Sequence, residues 1–578
     1  MRKSALRLYA PFIGLAIVQA LFIALLPSTG PNQGLAAGRL GSGSASAGVA
    51  GSTGQVDTGA GTASGVAGAA GLSTGSGVAG STGAGGSGGA AASPTAILAE
   101  AAKGDVTHCK DGKQYEMFVG YHDEPPCTPK WPGGDNGGAT YQGVTATTIK
   151  IVIFDSQPNA AVDAVLAPQG LSETTQQRDS MNAAGEAFVQ KHYELYGRKI
   201  EWTHVVGDCP TTPPDYDKCL AAAREVIKMK PFMVLWATPL YATVFDEWAK
   251  AGIVSIGGWH FDQTYFNDRR PYRYDAFMDG TRSAELIAEY YCKKLAGKPA
   301  DHAGAETFPG TAQTIRSTRR RLGISVPEIE ANVSTAKHVS DLIQQCDPGG
   351  QAPVIVTYVS DIERAQEQSD ATTQKFISSK VTTTVCMCDP IAPAFGTAGY
   401  TKAGYFPEIL MPGLGLLDYD KLGRLYDKQQ MRHAFGPSHL RDEVPFAQSD
   451  ADIVWHDTGN SGDACPACNL NWAYIAMAGS FIEGAGPILN PLSIEKYVLN
   501  SKPQGGWEAS GHNPHVILSK FGPGDYTAVS DAREVYWDET AISKIDGNPG
   551  AYVSLDGGHR YENGTWPAGL SPAIPVRP

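Results

Sequence analysis

The sequence predicts an α/β protein with two similar lobes, each built on a doubly wound parallel sheet. Three observations lead there. Residues 149–154, Ile-Lys-Ile-Val-Ile-Phe, form an apolar, β-branched run with a single Lys; such a run reads as a strand buried on both faces. From it to residue 257, strand-like runs alternate with stretches whose apolar residues recur at helical spacing, the mark of parallel β-α-β units. Beyond residue 283 the same alternation starts again.

In the first lobe, residues 173–196 place Met181, Ala184, Phe188, Val189, His192 and Leu195 on one helical stripe, which Gly197 ends. Residues 200–206 alternate like a strand. The Pro-rich stretch 208–217 is a loop bracketed by Cys209 and Cys219. A helix over 220–229 leads to a buried strand, 232–237, ended by Thr238-Pro239. A helix over 242–251 leads to a strand, 253–256, ended by Gly257-Gly258-Trp259. In the second lobe the pattern predicts a helix over 283–295, a strand near 300–307, a helix near 311–322, a strand over 354–360, a helix over 362–378 and a strand over 382–387. Arg319, Arg320 and Arg321 follow Arg316 on the expected helix and read as a solvated face rather than an anion site.

Upstream of the lobes the composition changes. Arg2, Lys3 and Arg7 precede 19 apolar-segment residues, 8–26. As a helix these span about 28 Å, close to a bilayer core, and the basic flank keeps the N-terminus inside. A signal-anchor is favoured over a cleaved signal peptide, with residues 1–33 as the targeting segment and the rest outside. Residues 34–93 are a Gly/Ala/Ser linker that cannot bury a core. Gly85-Gly-Ser-Gly-Gly89 within it fits a nucleophile pattern only by composition, since no strand precedes it. Residues 94–140 form a Cys-containing extension.

The formal net charge of −13, with basic residues scattered, argues against nucleic acid as a partner. The ten cysteines in an exported chain point to disulfides. Close spacing suggests Cys109–Cys127, Cys209–Cys219 and Cys465–Cys468. Metal ligation and redox exchange are the rival readings of Cys465-Pro-Ala-Cys468 and Cys386-Met-Cys388. The partners of Cys292, Cys346, Cys386 and Cys388 stay open. Catalysis has little support: His-Glu-x-x-His is absent, Gly459-Asn-Ser-Gly-Asp463 lacks triad partners, and His433 and His439 have no carboxylate or Cys placed to complete a metal site. No phosphate-cradling loop follows a strand, so neither an enzyme nor a bound cofactor is expected.

Several segments, in order, resemble the type I periplasmic binding proteins of the branched-chain amino acid class, in an actinobacterial-type branch. They are Gly143-Val-Thr-Ala-Thr-Thr-Ile-Lys-Ile151, Gly197-Arg-Lys-Ile-Glu-Trp202, Ala251-Gly-Ile-Val-Ser-Ile-Gly257, Tyr405-Phe-Pro-Glu408, His433-Ala-Phe-Gly436 and 474–487. The resemblance spans about 141–537. It implies a multi-strand hinge and discontinuous lobes: lobe one at 141–282 and 428–530, lobe two at 283–427 and 531–578 with its tail. It further implies an extracytoplasmic solute-binding protein whose lobes close on a ligand and hand it to an ABC transporter permease; a tethered two-lobed sensor and an exported α/β enzyme are the alternatives. The ligand would be an amino acid, an amide or a related small molecule, held at strand carboxyl ends. Ser156, Gln157, Thr238, Gly258 and Trp259 are the candidates in lobe one; Tyr358, Asp389 and, near the hinge, Tyr274 are those in lobe two. The family often has a Ser or Thr pair where this chain has Ala237-Thr238 and Gly257-Gly258, which departs from an ordinary amino-acid site. Each candidate also has a plain structural reading: Trp259, Tyr274 and Tyr358 as packing residues, Asp155 as a helix cap, and Asp389-Pro390 as a turn.

Overall fold

The computed structural model describes residues 92–110, 113–114, 127–236, 241–258, 261–465 and 469–577. The expected membrane segment and most of the linker lie outside them. Among the described residues, no helix is long and apolar enough to cross a membrane.

The first lobe is a five-stranded sheet of β1 (Thr148–Ser156), β2 (Lys199–Gly207), β3 (Met233–Trp236), β4 (Val254–Gly257) and β5 (Arg273–Tyr274), in the order β2-β1-β3-β4-β5. All its pairings are parallel. The run that dominates the sequence is the central strand. Ile149, Ile151 and Phe154 are fully buried and Lys150 is exposed. Helices α1 (Ala160–Leu166), α2 (Thr175–His192), α3 (Tyr216–Lys228) and α4 (Ala242–Lys250) connect the strands. Reciprocal hydrogen bonds between Thr174 and Gln177 cap α2. Trp248 of α4 packs edge-on to Phe154 and donates its indole N–H to the Ala223 carbonyl at 3.2 Å. Asp155 does not cap α1; Asn159 does.

The second lobe repeats this topology. Strands β6 (Leu322–Pro327), β7 (Val354–Tyr358), β8 (Thr383–Cys386), β9 (Glu408–Leu410) and β10 (Ala434–Ser438) run parallel in the order β7-β6-β8-β9-β10. Helices α5 (Gly280–Tyr290), α6 (Glu330–Cys346), α7 (Ala365–Ser378) and α8 (Ala392–Lys402) accompany them. Three antiparallel strands extend the sheet: β11 (Asp531–Ile542), β12 (Pro549–Ser554) and β13 (Arg560–Glu562). In both lobes the chain order of strands reverses beside the first strand, and this switch point is where open α/β sheets leave a crevice.

Two expectations fail here for local reasons. Residues 300–321 form neither the strand nor the helix expected; they are turns, because Gly304 and Pro309-Gly310 interrupt the pattern. The Arg run therefore enters β6 extended rather than helical, and alternate side chains face opposite ways. Arg320 turns inward and is fully buried, donating to both oxygens of Glu408 at 2.8 and 2.7 Å. Arg319 pairs with Asp347 at the surface. The run is not a solvated face.

The boundary of the returning segment also moves. Residues 434–438, expected in lobe one, form β10, which is buried throughout and pairs with β9 and β11 of the second sheet. The chain re-enters the first lobe only after it, through α9 (Asp450–Asp457), α10 (Asn469–Ala485) and α11 (Pro491–Asn500), which supply Val454, Ile475 and Ile494 to that core.

Disulfides join Cys109–Cys127 and Cys209–Cys219, and the four unassigned cysteines pair as Cys292–Cys346 and Cys386–Cys388. Cys465 is also disulfide-bonded, and Cys468 lies outside the described residues. None of the described cysteines is free.

The chain passes between the lobes three times, after β5, after β10 and before β11. The first and third crossings lie side by side: Ala528 N–H donates to the Asp275 carbonyl at 3.1 Å and Asp275 N–H to the Tyr526 carbonyl at 3.2 Å. Arg282 ties them together through Asp279 at 2.7 Å and Asp525 at 2.8 Å. The Asp275 carboxyl is buried at this junction, and burial pushes it from 3.8 up to about 7 against the pull of Arg273. A carboxyl raised in the folded state keeps a proton that the unfolded chain has lost, so stability falls as pH rises between about 4 and 7 and levels off above that. Asp275→Asn is expected to flatten this slope in urea unfolding measured at a series of pH values; an unchanged slope would assign it to other groups.

Candidate functional site

The strand carboxyl ends of the two lobes face a common cleft, and the cleft holds two chambers. The outer one, about 300 Å³, lies at the switch point of the second sheet. Its floor is Ser325 and Pro327 of β6, Tyr358 of β7 and Cys386 of β8, with Cys388 and Asp389 just beyond; Val162, Thr211 and Thr212 reach it from the first lobe. The Tyr358 hydroxyl donates to Asp389 Oδ2 at 2.8 Å. Asp389 Oδ1 accepts from the backbone N–H groups of Ile391 and Ala392, both at 3.0 Å, at the start of α8. One carboxylate is thus held by three donors, and burial, then the Asp389 charge, keeps the Tyr358 phenol well above its usual range.

The lobes touch at this chamber and again near the inner one. Ile362 N–H of the second lobe donates to Thr212 Oγ1 of the first at 2.9 Å. Arg424 Nε donates to Gln169 Oε1 at 3.0 Å, and Leu166 and Leu171 pack on the second lobe's apolar cluster. The cleft is bridged, and the lobes stand closed on each other.

The inner chamber, about 480 Å³, sits at the hinge and meets the outer one at Pro390. All three crossings contribute to it: Phe277 from the first, His439, Arg441 and Glu443 from the second, Val529 from the third. Arg441 pairs with Asp450 at 3.2 Å. Burial, helped by the nearby Asp420 and opposed by Arg441 and Arg533, pushes the Glu443 carboxyl up to about 8.

Of the residues singled out from sequence, Tyr358 and Asp389 come together in the outer chamber. Ser156 ends β1 with its hydroxyl buried and without a hydrogen-bond partner among the described residues, and it lines neither chamber. Gln157 is exposed. Gly258 is a turn glycine with φ +80°; a Cβ there would stand 2.5 Å from the Phe245 ring and 2.7 Å from that of Phe261, so the site needs glycine for close approach. Tyr274 is not at the cleft. It is fully buried in the first lobe's core, with ring centroids 4.9 Å from Phe481 and 5.7 Å from Tyr526, because β5 is covered on both faces. Thr238 and Trp259 lie outside the described residues.

The sequence pointed to none of Thr211, Thr212, Arg441 and Glu443, and to Cys386 and Cys388 only as thiols. A signal existed for the first pair: a loop with four Thr and Pro residues, Thr211 to Pro214, clamped between Cys209 and Cys219. None existed for Arg441 and Glu443, whose place depends on where the second crossing runs.

No protein-family profile and no curated protein sequence matches the chain. Solved structures do. An ABC transporter substrate-binding protein of Aeropyrum pernix superposes with a TM-score of 0.50 at 10% identity, covering 72% of this chain and 96% of that one. A solute-binding protein from R. palustris in complex with 4-hydroxybenzoate gives 0.48 at 11% identity, over 72% and 97%. A fatty acid ABC transporter substrate-binding protein from Thermomonospora curvata gives 0.48 at 13%, over 73% and 94%. At such identities the likeness is one of fold.

Proposed function

We infer, on the premise that this chain has the two-lobed fold of the type I ABC-transporter substrate-binding proteins, that it is an extracytoplasmic solute-binding protein that captures a small molecule between its lobes for uptake. The observation that carries the reading is the outer chamber. It lies at a sheet switch point, where such folds bind ligands. It is walled by both lobes and bridged across its mouth by Thr212 and Ile362. A ligand there would be covered as the lobes close, and an ABC transporter permease would read the closed form. The class of ligand that the resemblance implies, an amino acid, amide or related compound, belongs to this proposal. So does tethering through the apolar segment 8–26, with the linker letting the body move.

A thermal-shift screen against amino acids, amides and aromatic acids tests the reading. A ligand bound only by the folded state stabilises it by about 2.7 kcal/mol at one hundred times its Kd. Turnover of a compound, with no stabilisation by any, would overturn it. Thr212→Val then tests the place. It removes a hydrogen bond that joins the two lobes, which contributes about 0.5–1.5 kcal/mol. Affinity measured by calorimetry should fall by about two- to tenfold, with unfolding little changed. Unaltered affinity would move the ligand out of the outer chamber.

A further inference from the structure

The inner chamber has features that a general solute cleft does not explain. Its wall is largely apolar, and Phe277, Tyr419, Trp472 and Tyr497 are among the rings that face it. Two carboxyl groups line it: Asp450, paired with Arg441, and Glu443, half-buried and without any hydrogen bond or ion pair to another described residue. The cations nearby are otherwise engaged. Arg441 is turned toward Asp450, Arg533 donates to Asp442 and to the Leu440 and Arg441 carbonyls, and Lys502 is exposed at the rim. A buried carboxyl without a cation is costly, and aromatic faces attract a cation that has shed its water.

We propose that the inner chamber is a second binding site, distinct from the outer chamber, and that it takes an apolar amine or quaternary ammonium compound whose cation lies against Glu443 among Phe277, Tyr419, Trp472 and Tyr497. A carboxylate ligand would face the Asp450 charge and would keep the proton on Glu443. A neutral one would gain nothing from a charged Glu443. The volume of about 480 Å³ suits a body of phenyl or short alkyl size. The groups that face Glu443 are Asp420, Asp442, Arg441 and Arg533, with His439, Asp450 and Lys502 on the same chamber wall. The proposal stands whether or not the outer chamber holds the transported solute.

The geometry has a thermodynamic signature. Empty, Glu443 holds its proton at neutral pH because its carboxyl is raised to about 8. A bound ammonium favours the charged form, so binding expels that proton. The probe is benzyltrimethylammonium, which has no titration of its own, with 3-phenylpropionate and benzyl alcohol as anionic and neutral counterparts. Calorimetric titration of the full chain in two buffers of different ionisation enthalpy should show about one proton released per cation bound at pH 7, and affinity rising about tenfold from pH 6.5 to 8.5. The two counterparts should bind at least about tenfold more weakly. Glu443→Gln, which keeps the shape, should lose about tenfold in affinity together with the proton release and the pH dependence. Tyr358→Phe, which alters only a bond within the second lobe at the outer chamber, should leave cation binding unchanged. Equal or tighter binding of 3-phenylpropionate, no proton release by the native protein, or full affinity in Glu443→Gln would each overturn the proposal. A loss on Tyr358→Phe would show the two chambers to be one site, which also overturns it. The native protein's proton count decides the matter even if the variant folds poorly.

Discussion

Arg320→Ala is expected to lower the unfolding free energy by about 3–5 kcal/mol, the cost of leaving a buried charge without its partner. Arg320 and Glu408 are both fully buried. Glu408 also accepts from Thr383 Oγ1 at 2.6 Å and from the His302 backbone N–H at 3.1 Å. With the guanidinium gone, those two neutral donors remain beside a carboxylate that has lost its charge partner. The group must then take up a proton or draw in water. Replacing both partners by apolar residues, Arg320→Met with Glu408→Leu, should recover part of the loss, because neither charge is then desolvated. Recovery stays partial, since the Thr383 hydroxyl and the His302 N–H lose their acceptor. Urea midpoints at constant m-value give the comparison. A double variant no more stable than Arg320→Ala would show that the cost lies in packing rather than in charge.

The second large effect concerns covalent links. Cys292–Cys346 joins residues 54 apart and ties the segment after α5 to the end of α6. Cys386–Cys388 joins residues 2 apart. If a disulfide acts by restricting the unfolded chain, the first contributes about 4 kcal/mol and the second under about 2 kcal/mol. Replacing both cysteines of the first pair by Ala should therefore destabilise the protein more than the same change in the second. The Cys386–Cys388 variant would instead show its effect at the outer chamber, whose wall it forms. Equal losses in denaturant unfolding would overturn the loop-length account for this chain.

The strongest sequence signals were those with a local cause. The run 149–154 could be read as a central strand because six consecutive residues with one charge have no other comfortable place. The Pro-rich loop between Cys209 and Cys219 was legible for a similar reason, as Pro and a short Cys spacing both act on their neighbours. Tyr358 and Asp389 could be picked as cleft candidates because position at a strand's carboxyl end follows from the strand itself. Tyr274 sits at such a position too, and it failed because what covers β5 comes from residues 481 and 526. No pattern near residue 274 reports on side chains two hundred residues away.

The chain's own order of apolar runs, turns and Gly/Pro breaks determined the two-lobed α/β class, and it did so because strand and helix periods are properties of neighbouring residues. Tertiary structure alone decided the rest. It turned Arg320 inward, since the fate of a charge depends on whether a distant Glu408 meets it. It moved residues 434–438 into the second sheet, since strand pairing is a long-range hydrogen-bond choice. It brought Phe277, Glu443 and Val529, from three separate crossings, around one chamber. That last arrangement has no sequence signature, because a cavity is shaped by the surfaces that fail to fill it, and those surfaces belong to segments far apart in the chain.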